Sequence, residues 1–74
     1  GGLGRIAALQ AEMLKESRWV GDDFADTARA MHSGEMEKAQ VHGNATLADA
    51  KSLIDDGIAV APLPLPVVPP NQVN

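Results

Sequence analysis

All five prolines of this 74-residue chain lie between positions 62 and 70, and that clustering sets what the chain can fold into. Each proline removes a backbone amide donor and fixes φ near the polyproline value. The run Pro62-Leu63-Pro64-Leu65-Pro66, followed by Val67-Val68-Pro69-Pro70, therefore favours an extended arm over a helix or an inner strand. What remains for a core is the stretch from Leu3 to Val60. A chain this short hides only roughly 60% of the surface its unfolded form exposes, and one core of this size rarely supplies more than about 3 to 5 kcal/mol. The chain has no cysteine, so neither a disulfide nor a thiolate zinc site can reinforce it. Association with a partner or a second copy is the expected source of further stability. The missing cysteines also favour a cytoplasmic location, because small secreted domains more often use disulfides.

Charge narrows the partner. Ten acidic residues against six basic ones give a net charge of -4. The basic residues Arg5, Lys15, Arg18, Arg29, Lys38 and Lys51 are scattered, which argues against a phosphate-tracking surface. Trp19 and Phe24 are the only aromatics, too few for a stacking platform on single-stranded nucleic acid. No apolar run approaches the ~20 residues of a membrane-spanning helix, and the first residues lack the basic and apolar regions of a signal peptide. The opening Gly1-Gly2 fits a cloning remnant, a processed precursor or a piece of a longer protein equally well.

Periodicity predicts the elements. Leu3, Ile6, Ala7, Leu9, Met13 and Leu14 share about half of a helical wheel, with Arg5, Glu12, Lys15 and Glu16 outside it, so a helix is expected from Leu3 to Leu14. Were it to continue to Val20, Val20 would join the apolar arc and Trp19 would fall on the charged side. Gly21 breaks the pattern, and Asp22 or Asp23 can cap a second helix over Asp23 to His32, closed by Ser33-Gly34. Its stripe of Phe24, Ala28 and Met31 is narrow and needs a neighbour. Glu35 to Gln40 reads as one or two docked turns capped by Ser33, with an extended Gln40 to His42 as the alternative; Gly43-Asn44 is a turn signal.

Thr46 with Asp49 three residues on forms an acidic variant of the capping box. The apolar face Leu47, Ala50, Leu53 and Ile54 then predicts a third helix over Leu47 to Asp55, with Gly57 as its left-handed cap. Asp55 and Asp56 oppose the helix dipole there and must be solvated or serve a turn. Ile58 to Ala61 has strand character and, if extended, must pair with Gln40 to His42, a second subunit or a partner. The expected fold is mainly α: three or four short helices, a short extended segment and a proline-rich C-terminal arm. A small helical domain would cover 1–61, and an extended or disordered tail 62–74.

Few residues suggest chemistry. Pro66-Val67-Val68-Pro69 has the PxxP spacing of a Src-homology-3 ligand but no flanking basic residue to orient it. His32 and His42, with Glu35 or Glu37, lack any spacing typical of a metal site. Asp22, Asp23 and Asp26 have neither the glycine nor the terminal glutamate of a calcium loop and read as helix caps. Gly1-Gly2-Leu3-Gly4 lacks the lysine of a phosphate loop. Ser17, Ser33 and Ser52 occupy no nucleophile elbow, and only His32 neighbours a serine in sequence. No catalytic, cofactor or metal residue is assigned.

The residues expected at an interface are Trp19, Phe24, Met31, Ile58 and Val60. A lone tryptophan at a helix junction plugs a core or anchors a contact, and the others lie on faces one small chain cannot cover. The sequence thus points to a small non-enzymatic protein-protein interaction or oligomerisation module, a homo-oligomer or the ligand of another protein, with no cofactor and no membrane. One rival is a small dimeric nucleic-acid-binding regulator using Leu47 to Asp55 as a recognition helix, against which Asp49, Asp55 and Asp56 weigh. Another is an accessory subunit or fragment of a larger enzyme.

Overall fold

In the computed structural model, which describes residues 1–67 and 69, three helices and two short strands follow one another as α1 (Gly2–Leu14), β1 (Arg18–Gly21), α2 (Phe24–Ser33), β2 (Val41–Gly43) and α3 (Leu47–Asp55). The rest of the expected tail, and with it part of the Pro66 to Pro69 motif, lies outside the described residues.

α1 ends where the expected helix does, and it does not run on to Val20. Its last turn tightens, with the Lys15 amide donating to the Glu12 carbonyl and that of Ser17 to Leu14. The chain then extends, as the aromatic and β-branched pair Trp19-Val20 prefers, and the Arg18 amide donates to the Gln40 carbonyl at 3.0 Å. β1 and β2 pair in parallel, with Arg18 opposite Val41, Trp19 opposite His42 and Gly21 opposite Gly43, and an irregularity between Trp19 and Gly21. Parallel strands need a long crossover, usually a helix, and α2 supplies it. The β-α-β unit so formed was not foreseen from sequence; only the extended alternative for Gln40 to His42 anticipated one of its strands.

At the carboxyl end of the two strands the backbones nearly touch. A Cβ on Gly43 would collide with the Gly21 carbonyl oxygen, so position 43 admits no side chain without separating the strands. Just beyond, the Asn44 amide donates to that same carbonyl at 2.8 Å, and the Asn44 side chain donates to Asp22 Oδ1 at 3.2 Å.

Two expectations about caps turn out differently. Asp23 stands at the N-cap of α2, but its φ and ψ of -84° and 7° are not those of an extended cap residue, and its side chain makes no capping hydrogen bond. Thr46, with ψ at 162°, caps α3 as the sequence suggests, its Oγ1 accepting from the Asp49 amide at 3.0 Å. Glu35 to Gln40 forms no helical turn. Ser33 does not cap it, because its hydroxyl turns back to the Ala30 carbonyl, while Gly34 closes α2 in the left-handed conformation.

α3 ends in a paired return: the Gly57 amide donates to the Ile54 carbonyl and that of Ile58 to Leu53, the double pattern of a glycine-terminated helix. Having turned there, Ile58 to Ala61 does not enter the sheet; β2 has β1 as its partner instead. Asp56, expected in solvent or a turn, meets Arg29 of α2, whose Nη1 donates to its Oδ2 at 2.6 Å while Nη2 donates to Ser52 Oγ at 2.7 Å. α2 and α3 pack together. Leu53 is wholly buried between the elements, and Ala28 is the other buried apolar residue among those described.

Candidate functional site

α1 stands apart from this arrangement. It packs only thinly against the other elements, and its apolar arc is open: Leu3, Leu9 and Met13 are 72%, 67% and 64% exposed, and Ile6 is exposed too. Leu47 and Ile54 of α3 are also exposed. Burial of apolar surface is the main favourable term in folding, so a helix with this face in water is incompletely covered by its own chain.

Two polar contacts hold α1 in place. The buried Gln10 reads the backbone of Leu65: its Nε2 donates to the Leu65 carbonyl at 2.9 Å, and its Oε1 accepts from the Leu65 amide at 3.0 Å. One side-chain amide thereby satisfies both main-chain groups of a residue flanked by prolines. The second contact joins Ser17 Oγ and His42 Nδ1, 2.7 Å apart. Because Trp19 and His42 are cross-strand partners, their rings meet edge to face with centroids 5.6 Å apart.

An open cavity of about 590 Å³ lies beside this group. Trp19, Phe24 and Val60, three of the residues expected at an interface, line it together with His42, Ser17 and Leu65. The other two, Met31 and Ile58, line a second, shallower cavity of about 570 Å³. All five are half-buried, so the structure divides them between two depressions rather than gathering them on one face. Met31 also accepts a hydrogen bond at its sulfur from the Ala39 amide.

The Ser17–His42 pair, 25 positions apart, had no local signal in the sequence. Its separation suits proton exchange between a hydroxyl and an imidazole, but among the described residues no carboxylate or carbonyl hydrogen-bonds the other ring nitrogen. The contact ties the turn between α1 and β1 to β2. Among the described residues no cluster of three or more histidine or carboxylate side chains is placed to hold a metal ion, and no described helix is long and apolar enough to cross a membrane.

The fold defines a small β-α-β-α unit with an additional helix laid against it. Residues 3–68 match the family described as Protein of unknown function (DUF1178), to which the chain therefore belongs. No curated protein and no solved structure matches it significantly.

Proposed function

We propose that this chain is a small non-enzymatic protein-protein interaction or oligomerisation module that uses the outer face of α1. The observation that carries the reading is the contrast between that face and the core: Leu3, Ile6, Leu9 and Met13 are exposed on one helix, while Leu53 is the only large side chain wholly buried among the described residues. Contiguous exposed apolar side chains of this kind mark contact surfaces. The partner is a protein, another copy or a different chain, reached in the cytoplasm. In this reading a proline-rich arm begins at Pro62, beyond the helical domain, and is steadied on α1 through Leu65.

Light scattering over a dilution series tests it, on the 74-residue chain and on Leu9→Asp. A concentration-dependent mass above that of one 7.7 kDa chain, abolished by the substitution while the circular dichroism spectrum is unchanged, is the expected result. A wild-type mass equal to one chain at every concentration overturns self-association, and an oligomer indifferent to Leu9→Asp overturns the use of α1.

A further inference from the structure

We infer that the occupant of the α1 face is the α1 helix of a second copy of this chain, packed antiparallel. The inference rests on reading α1 as an interface and adds the partner and the geometry.

Projected at about 100° per residue, Leu9, Met13 and Ile6 fall within an arc of about 60°, with Gly2 inside it. Their spacing is that of a heptad seam: Gly2 and Leu9 at d, Ile6 and Met13 at a. Arg5 and Glu12 occupy the two g positions along one side of that seam, and Leu3 and Gln10 the two e positions along the other. The e side is turned toward the chain's own body, since Gln10 is buried against Leu65. The g side is open: Arg5 is exposed and forms no ion pair among the described residues, and Glu12 meets only Lys15 of its own helix, an exposed pair that contributes little.

Antiparallel helices bring g against g, and parallel ones bring g against e. In the antiparallel register that sets Ile6 opposite Leu9 of the second copy, and Leu9 opposite its Ile6, two further matches follow without adjustment. Arg5 of each chain faces Glu12 of the other, giving two opposite-charge pairs related by the dyad. Met13, long and adaptable, lies across from Gly2, which has no side chain to displace it. The contact is isologous, so it closes at a dimer. The parallel arrangement would place Arg5 against Gln10 and Glu12 against Ser17, with no charge compensation. Charge complementarity therefore selects both the occupant and its direction.

Sedimentation or light scattering of the full 74-residue chain at low salt, with Arg5→Glu and Glu12→Arg made separately and then mixed, tests the pairing. Each variant alone brings like charges together at both symmetric positions and should weaken dimerisation by about tenfold. An equimolar mixture brings opposite charges together at both positions and should recover the wild-type midpoint, with the difference shrinking in 0.5 M salt as about 4 Å of screening length replaces ~10 Å. Since both sites are exposed, unchanged circular dichroism is expected for each variant. If the single variants dimerise as well as the wild type, or the mixture does no better than either alone, the antiparallel pairing is overturned, while sensitivity to Leu9→Asp would still uphold α1 as the interface. A wild-type chain that is monomeric throughout overturns both.

Discussion

α1 and α3 make an instructive pair. α1 is the longer helix and carries the broader apolar arc, yet it stays largely open, whereas the nine-residue α3 is fixed at both ends. Thr46 caps the start of α3, the Gly57–Ile58 return closes it, Arg29 holds its last turn, and Leu53 is sealed beneath it. For α1 there is a glycine at the N-cap without a side-chain bond, and no charged residue suited to the dipole in its first or last turn. The difference teaches that amphipathicity only entitles a helix to burial; what buries it is a neighbour brought there by the topology. The β-α-β crossover delivers α2 to α3, and nothing comparable is delivered to α1.

That contrast can be broken from the α3 side with the largest effect. Leu53→Ala should destabilise the fold by about 3 kcal/mol, enough to unfold much of a chain with so small a core, and thermal denaturation followed by circular dichroism would register it. Gly43→Ala should follow at about 2 kcal/mol, because the new Cβ meets backbone rather than a yielding side chain. Faster exchange of the Asn44 amide, which bonds to Gly21, would locate the damage at the strand ends. Thr46→Ala should remove about 1 kcal/mol by leaving the Asp49 amide without its acceptor, and Thr46→Ser should restore most of it.

The same comparison is sharpened from the α1 side by small effects. Gln10→Ala should release the Leu65 amide to rapid hydrogen exchange, with a global loss of no more than about 1 kcal/mol. At Leu9, which is two-thirds exposed, replacement by Gln should leave the melting temperature of a dilute sample within experimental scatter. A large loss there at concentrations where the chain is a single copy would mean that α1 belongs to the core after all.

Sequence reasoning reached the elements governed by local chemistry and missed those governed by long-range pairing. α3 matches its expected limits because cap, period and glycine stop are all encoded within a dozen residues. α1 ends as expected on its period alone, since it has neither a side-chain cap nor a glycine stop. β1 and β2, three or four residues each, are too short to show a period, and their pairing depends on α2 carrying one past the other. The contact between Ser17 and His42 follows from that pairing alone. Of the residues expected at an interface, Trp19, Phe24 and Val60 line one cavity and Met31 and Ile58 another, a division that depends on the strand pairing and that no local pattern records. For α1 the pattern records which side is apolar and is silent on what faces it.

The hold of Gln10 on Leu65 has a consequence for alignment. A side-chain amide that both gives to a carbonyl and takes from an amide hydrogen can seat only a residue with that hydrogen, and along Pro62-Leu63-Pro64-Leu65-Pro66 every second residue lacks it. Sliding this segment by one position would present Pro64 or Pro66 and lose one of the two bonds. The alternation therefore works as a ruler with two-residue graduations, on which Leu63 and Leu65 are the favoured marks and a single-step slip forfeits one of the two bonds.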